Sequence, residues 1–453
     1  MREVTVELQI EELKEWIADK EFRKVKEALA EYLPVEIAEL LNELNSTELV
    51  VVYRLLGKDL SADTFAYLDP DQQEHIINAL KDKEVVALIE DLYFDDMIDL
   101  IEELPSNLVK KILKNTDPAE RRLINQFLNY PEDTAGSIMT IEYVDLKKHM
   151  TVTEALARIK RIGIDSETVY TCYVTRADRV LEGLVSLRKL VTSEPEAIIG
   201  DLMKTDIISV KVGEDQESVA SLFKKYDLGT MPVVDRENRL VGIITVDDII
   251  DVIEKENTED FQKMAGIQPT EESYLDGSIL GMAKQRILWL LVLMLSATFT
   301  GRIIQGFEET LATVVILAAF IPMLMDTGGN AGSQSSTMVI RGIALGEISP
   351  RDTVRVIFKE IAIGAIVGAA LSGINYLRIV YIEKVDPRVA LVVTLTLFVT
   401  VVLAKTVGSV LPIVAKLCKA DPAVMASPLI TTIVDAVALV VYFQLAHVFL
   451  GIA

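Results

Sequence analysis

The last stretch of the chain, DPAVMASPLITTIVDAVALVVYFQLAHVFLGIA (residues 421–453), decides the fold. From Pro422 to Ala453 its only Asp, Glu, Lys or Arg side chain is Asp435, in a run long enough to cross a bilayer as a helix. If that helix begins near Ala423, Asp435 lies about 18 Å along its axis, close to the middle of the membrane. An isolated carboxylate is costly at that depth, so we expect it to face water or a cation.

Two hydroxyl side chains precede Asp435 by about one helical turn. Thr431 and Thr432 lie on or near its face of the helix and can hydrogen-bond the water shell of an ion. Two alternatives remain for the carboxyl group. It is either held neutral, or it is paired with Lys405 of the preceding apolar run.

Four further apolar runs precede this one, at roughly 287–305, 310–335, 356–380 and 389–414. The sequence therefore predicts five membrane spans. Basic residues cluster in alternate loops, whereas Glu308 and Glu309 lie in a loop on the other side. The positive-inside rule then places residues 1–285 in the cytoplasm and the C-terminus outside.

The second apolar run ends in the polar, glycine-rich stretch IPMLMDTGGNAGSQSST (321–337). Pro322 lacks a backbone donor, and the pair Gly328 and Gly329 weakens a helix. We interpret the stretch as irregular backbone lining a pore or its cytoplasmic mouth, since such backbone needs cover at membrane depth. The alternative is a kinked helix end that runs into a loop.

Charge divides the 453-residue chain in two. Residues 276–453 hold 11 acidic and 13 basic side chains, whereas residues 1–275 hold 57 and 32, a net charge of −25. This division excludes a simple soluble enzyme, a disordered chain and a disulfide-stapled secreted domain. The acidity argues against nucleic acid as a partner and favours cations. Cys172 and Cys418 have no zinc-ligand spacing, and the N-terminus has no signal-peptide pattern.

The first region of the acidic half is predicted to be all-helical. VEIAELLNEL (35–44) and DDMIDLIEEL (95–104) share the apolar spacing of amphipathic helices. Prolines recur in the region and interrupt its helices. The sequence therefore predicts a stack of short, degenerate helical repeats over residues 1–130.

Residues 134–254 contain an internal repeat in which Gly183 and Gly242 are equivalent. Each copy predicts the order strand, helix, strand, strand, helix. The pattern resembles a tandem pair of cystathionine-β-synthase (CBS) domains, which often bind adenine nucleotides between the copies. The ribose-contacting pattern of that family is present as Gly242, Thr245 and Asp248, whereas Lys189 replaces the carboxylate in the first copy. A regulatory dimerisation module without nucleotide fits equally well.

The whole chain resembles the MgtE family of magnesium channels. The signatures are PEDTAGSIMT (131–140), GGNAGSQS (328–335) and DPAVMASPLITTIVD (421–435). The resemblance implies a multidomain membrane protein with an all-α acidic N-domain, an α+β tandem CBS pair, a linker or plug helix and a five-helix pore domain. Their expected bounds are 1–130, 131–254, 255–285 and 286–453.

The resemblance also implies a homodimer in the plasma membrane, with Asp435 binding hydrated Mg²⁺ in a pore on the dimer axis. It implies closure by cytosolic Mg²⁺, and ATP at the CBS pair through Tyr170, Arg188 and Thr245. Further pore-lining positions would be Asn330, Ser427, Thr431 and Thr432. The regulatory Mg²⁺ ligands would be Asp95, Asp99, Asp215, Glu217, Asp227, Asp248, Glu256, Glu259, Asp260 and Asp421.

Three other functions compete with a Mg²⁺ channel. A broader transporter of Co²⁺, Mn²⁺ or Ni²⁺ with nucleotide regulation would favour imidazole or thiolate ligands in the membrane spans, and only His447 and Cys418 are available there. A CBS-regulated anion channel is opposed by a lone acidic residue in the membrane. A membrane enzyme or nucleotide receptor lacks a nucleophile or acid–base constellation in the sequence.

Overall fold

The computed structural model describes residues 6–164, 166–270, 274–275, 277–425 and 427–451, with the side chains at 6–9, 59, 103, 115, 120 and 427 left out. The chain divides into two compact units, Met1–Ile253 and Glu254–Ala453.

The first unit begins with a stack of short helices. Proline occupies the first position of α3, α6 and α10, where its fixed φ suits a helix start. Alternate helices pack together, α3 on α5, α4 on α6, α5 on α7 and α7 on α9, which confirms the predicted helical stack. The ten helices are α1 (Val6–Ala18), α2 (Phe22–Leu29), α3 (Pro34–Asn42), α4 (Ser46–Tyr53), α5 (Lys58–Ala66), α6 (Pro70–Ala79), α7 (Asp82–Asp91), α8 (Phe94–Glu103), α9 (Ser106–Asn115) and α10 (Pro118–Phe127).

Two small α+β repeats follow in the same unit. Each has a three-stranded sheet in which the first pair of strands is parallel and the second pair antiparallel, in the orders β1-β2-β3 and β4-β5-β6. The predicted order of elements is confirmed in both copies. The elements are β1 (Tyr143–Leu146), α11 (Val152–Ile162), β2 (Thr168–Thr175), β3 (Leu181–Ser186), α12 (Leu187–Val191), α13 (Ile199–Leu202), β4 (Val210–Lys211), α14 (Gln216–Tyr226), β5 (Thr230–Val234), β6 (Leu240–Thr245) and α15 (Val246–Met264), of which α15 continues into the second unit.

Gly183 and Gly242 are equivalent in space as well as in sequence. Gly183 pairs with Val174, and Gly242 pairs with Val233. A Cβ on Gly183 would lie 2.6 Å from the sulfur of Met203, and one on Gly242 would lie 2.7 Å from that of Met139. The backbone carbonyls of Lys204 and Thr140 would lie 3.0 and 2.7 Å from the same two added carbons, so the close approach of the backbone favours glycine in both copies.

The second unit consists of long apolar helices, with α18, α20 and α21 packed together around a buried core. The helices are α16 (Ile279–Gly306), α17 (Glu308–Thr313), α18 (Ile321–Ala344), α19 (Thr353–Leu377), α20 (Pro387–Leu417) and α21 (Ser427–Leu450), with 3₁₀ turns at Val315–Phe320, Pro350–Asp352 and Pro422–Met425 and a π-helical segment at Arg378–Ile382.

Four helical segments in the described part of the chain are long and apolar enough to span a membrane: Ile279–Gly306, Val315–Ala344, Pro387–Leu417 and Pro422–Leu450. The sequence predicts five such spans, and the structure gives four by length and composition. The remaining long helix, α19, carries Arg355, Lys359 and Glu360 in its first half.

The glycine-rich stretch 321–337 is continuous helix, so the prediction of irregular backbone there is wrong. Its glycines instead allow close packing between helices. A Cβ on Gly332 would lie 2.6 Å from a methyl group of Ile430 in α21, and one on Gly408 in α20 would collide with the carbonyl of Gly332. Tertiary packing compensates for the low helix propensity of glycine because small residues let membrane helices approach.

Candidate functional site

Asp435 lies in the second unit, about two turns into α21. The residue is half-buried, and its Oδ1 atom is buried without a hydrogen-bond partner among the described residues. Thr431 and Thr432 donate their hydroxyls to the carbonyl of Pro428, at 2.9 and 3.2 Å, which leaves the oxygens free to accept. The side chain of Ser427 lies outside the described residues.

One face of α18 is polar and exposed in the protomer. The positions follow one another at intervals of three or four residues, so they share one side of the helix. Lipid contact would leave these groups without hydrogen-bond partners, so the face belongs against water or protein. Its exposed residues are Asp326, Asn330, Gln334, Thr337 and Arg341.

This polar face begins at Asp326, a residue that the sequence analysis missed. The charge of Asp326 acts on Asp435 where α18 packs against α21, with a Cβ on Gly329 only 2.8 Å from a methyl group of Thr431. Asn330 donates its amide to Asp326 Oδ1 at 3.2 Å. The spacing of polar residues at 326, 330, 334, 337 and 341 was the signal that could have revealed the face, once a continuous helix was assumed.

Lys405 does not pair with Asp435, which removes one of the two alternatives for that carboxylate. Lys405 is only 5% exposed and donates to Ser335 Oγ at 3.4 Å. Ser335 in turn donates to Glu360 Oε2 at 2.6 Å. A lysine and a glutamate are thus linked through one serine across α20, α18 and α19.

A second site lies in the first unit, where acidic side chains of α8 and α15 come together. Burial, followed by the negative charge of Asp248, raises the pKa of Asp95 to about 9. Burial also raises the pKa of Asp96 and of Asp248, each to about 6. Two predicted regulatory ligands, Asp95 and Asp248, are therefore brought together by the fold.

Two glutamates that the sequence analysis missed complete this acidic cluster. Carboxylate oxygens of Asp95, Glu142 and Glu167 lie within 4.8 Å of one another, a spacing that could hold a metal ion. Glu142 Oε2 accepts from the backbone N–H of Phe94 at 3.0 Å, whereas Glu167 Oε2 is buried without a hydrogen-bond partner in the described part of the chain. Burial and the charge of Asp247 raise the pKa of Glu167 to about 7. No sequence motif marks these glutamates, because β1 and β2 bring them together.

The other predicted regulatory residues of the first unit are exposed. Asp215 caps α14 by accepting from Ser218 N at 3.1 Å, and Glu217 lies in the first turn of that helix. Asp227 ends the same helix in a left-handed conformation, with φ of 51°. Asp99 is one turn beyond Asp95 on α8. The two ends of α14 are about 16 Å apart, so Asp215 and Asp227 of one protomer cannot bind the same ion.

The remaining predicted regulatory carboxylates gather in the second unit around a basic residue, Lys263. Its Nζ lies 2.5 Å from Glu259 Oε1 and 2.7 Å from Asp421 Oδ2. Burial, and then the charge of Asp421, raises the pKa of Asp260 to about 6. Glu256 also adds to the negative potential at Asp260. The sequence analysis missed Lys263.

The predicted nucleotide residues lie in the CBS pair. Thr245 donates its hydroxyl to Asp248 Oδ2 at 2.6 Å, at the junction of β6 and α15. Tyr170 on β2 is 76% exposed, and Arg188 on α12 is also exposed. Two residues of the predicted ribose-contacting pattern, Thr245 and Asp248, are therefore hydrogen-bonded to each other.

Known families cover most of the chain. Residues 321–445 match the family described as "Divalent cation transporter", residues 32–133 match "MgtE intracellular N domain" and residues 199–255 match "CBS domain".

Known proteins and structures agree with these families. The magnesium transporter MgtE of Thermus thermophilus is 34% identical over 97% of this chain and 98% of its own, and that of Bacillus subtilis is 33% identical over 96% of each. A crystal structure of the cytosolic domain of the Mg²⁺ channel MgtE in complex with ATP matches 53% of this chain and 98% of its own, with a TM-score of 0.51 and 34% identity. The soluble part of a magnesium transporter matches 55% of this chain and 99% of its own, with a TM-score of 0.52 and 30% identity. The chain belongs to the MgtE family of magnesium transporters.

Proposed function

We propose that this chain conducts Mg²⁺ across the membrane between the polar face of α18 and Asp435 of α21. The observation that carries the proposal is a polar helix face beside two neighbouring carboxylates, Asp326 and Asp435, in an otherwise apolar unit. Acidic residues in a cation path attract cations and exclude anions. The same charges argue against an anion channel.

Hydrated Mg²⁺ fits these groups better than a softer metal does. Mg²⁺ gives up its water reluctantly, and carboxylate, amide and hydroxyl oxygens can hold its hydration shell. The candidate soft ligands are placed elsewhere: His447 Nε2 lies 2.7 Å from the hydroxyl of Thr310, and Cys418 follows the end of α20. Transport of Co²⁺, Mn²⁺ or Ni²⁺ is the alternative that ion substitution tests.

The exposed polar face of α18 supports a homodimer as the working unit. A second copy placed against this face would shield it from lipid and add a second Asp326 and Asp435 to the same path. We place residues 1–285 in the cytoplasm and the C-terminus outside, following the loop charges, and this placement requires the 25-residue helix α19 to cross the membrane as well. Accessibility of a C-terminal tag from either side tests this, because four crossings alone would return it to the cytoplasmic side.

Regulation by cytosolic Mg²⁺ follows from the acidic clusters. The cluster of Asp95, Glu142, Glu167 and Asp248 contains carboxylates that repel one another, and a divalent cation would relieve the repulsion. Binding would favour the packed arrangement of this unit and shift the population toward a closed channel. The ATP complex of the related cytosolic domain supports adenine nucleotide at the CBS pair, near Thr245, as a second regulator.

Currents in inside-out patches test the proposal. The wild-type chain should carry an inward Mg²⁺ current that falls as Mg²⁺ on the cytosolic side rises to about 10 mM. Asp435→Asn should abolish the current, whereas Glu347→Gln, which removes an exposed carboxylate from the loop after α18, should leave it unchanged. Normal Mg²⁺ current in Asp435→Asn at equal surface expression would refute the pathway.

A further inference from the structure

The C-terminal end of α15 is attached to the start of α21 through a single ammonium group. Lys263 Nζ is within 2.7 Å of Asp421 Oδ2 and within 2.5 Å of Glu259 Oε1. The side chains of Lys263 and Asp421 are only 22% and 32% exposed, so water screens this pair less than a surface pair. All of these residues lie in the second unit.

Asp421 uses its two oxygens for two different helices. While Oδ2 accepts from Lys263, Oδ1 accepts from the backbone N–H of Ala423 at 2.8 Å, at the 3₁₀ turn that leads into α21. The carbonyl of Met425 in that turn accepts from Ser336 of α18 at 3.3 Å. Hydrogen bonds thus connect Lys263, through Asp421 and the 3₁₀ turn, to both helices of the candidate pathway.

The other side of α15 is also fixed in place. Gln262 hydrogen-bonds both the N–H and the carbonyl of Thr270, at 2.8 and 3.2 Å. Gly266, with φ of 70°, packs its backbone against the indole of Trp289 on α16, where a side chain would collide. The end of α15 is thus held on α16, and Lys263 reaches from there to the start of α21.

We propose that Lys263 is a tethered cation that holds α15 against the start of α21 when no divalent cation is present. Three carboxylates, Glu259, Asp260 and Asp421, would otherwise repel one another across this contact. Mg²⁺ that reaches these carboxylates must compete with the ammonium group. This inference rests on the proposed channel function and assigns part of its closure to the protein's own charge.

Removing the ammonium should open the channel in the absence of Mg²⁺. With Mg²⁺ only in the pipette and a chelator on the cytosolic side, Lys263→Gln should raise the ratio of open to closed channels up to about fivefold, the size expected for one partly exposed ion pair. Lys263→Arg should behave like the wild type because it keeps the charge. The matched control Lys284→Gln removes an exposed lysine of α16 and should have no effect.

A second variant distinguishes loss of the ion pair from misfolding. Asp421→Asn keeps the oxygen that accepts from Ala423 and loses only the charge, so it should open the channel as Lys263→Gln does. The ratio of open to closed channels in the double variant should be no higher than in either single variant, since both substitutions remove the same ion pair. An unchanged open fraction in Lys263→Gln, or additive effects in the double variant, would overturn the inference. Absence of any Mg²⁺ current in the wild type would instead refute the channel function itself.

Discussion

Lys405 of α20 donates to Ser335 of α18 at 3.4 Å, so its ammonium group is bound to α18 and not to Asp435 of α21. With the ammonium group directed to Ser335, Asp435 has no basic partner within the described part of the chain. On α18, Ser335 lies nearly opposite Asp326, because nine residues correspond to two and a half turns. The helix thus keeps the buried lysine on one side and presents its polar face on the other.

The buried link between Lys405 and Glu360 should show strong coupling. Glu360→Gln leaves Lys405 buried without a counter-charge and should lower the melting temperature more than Lys405→Met does, because Lys405 is the more buried of the two. The double variant should be more stable than the sum of the two single effects predicts. Thermal melts of the purified protein in detergent measure this, and additive losses would contradict a shared network.

Close packing of α18 and α20 depends on glycine at position 408. Gly408→Ala places a methyl group against the carbonyl of Gly332 and should destabilise the second unit by roughly 1–3 kcal/mol. Gly373→Ala on α19 is the matched control, since no atom lies within 4 Å of its added Cβ. Equal melting temperatures for the two variants would show that the helices can separate without cost.

Asp326 should contribute to permeation without being indispensable. Asp326→Asn removes one of two neighbouring carboxylates but keeps an oxygen that can accept from Asn330. We expect a smaller Mg²⁺ current at low Mg²⁺ concentration, with recovery as Mg²⁺ is raised, because local negative charge concentrates cations. Single-channel conductance against Mg²⁺ concentration measures this. A curve identical to that of the wild type would exclude Asp326 from the path.

The acidic cluster of the first unit predicts an unusual dependence of stability on pH. The pKa of Asp95 is about 9 in the folded protein and near 3.8 without its surroundings, so the folded state binds the extra proton between these values. The free energy of unfolding should therefore fall as pH rises from about 4 to 9, and the loss should be complete above that range. Melting temperatures in chelator at pH 6 and pH 8.5 test the sign.

Variants and Mg²⁺ separate this cluster from other titrating groups. Asp95→Asn should flatten the fall between pH 6 and 8.5, whereas Asp71→Asn, an exposed carboxylate at the start of α6, should leave it unchanged. Added Mg²⁺ should raise the melting temperature more at pH 8.5 than at pH 6, because ionised carboxylates bind it. Equal stabilisation at both pH values would argue against carboxylate ligands.

Local patterns were sufficient for the architecture. The apolar spacing of 35–44 and 95–104, the repeat around Gly183 and Gly242, and the long apolar runs each depend on residues near one another in sequence. Helix and strand periodicity expresses such short-range order directly. The prediction of a broken helix at 321–337 was wrong because intrinsic propensity cannot include the close packing that Gly332 and Gly408 make possible.

By itself, the sequence determined that an acidic helical and CBS half precedes an apolar half with one carboxylate in its last helix. Only the tertiary structure decided which groups meet: Asp326 with Asp435, Lys405 with Ser335, and Lys263 with Asp421. It also brought Glu142 and Glu167 to Asp95. These partners are 47 to 158 residues apart in the chain. Periodicity assigns a residue to a face of its own helix or strand, whereas packing between elements selects what that face meets.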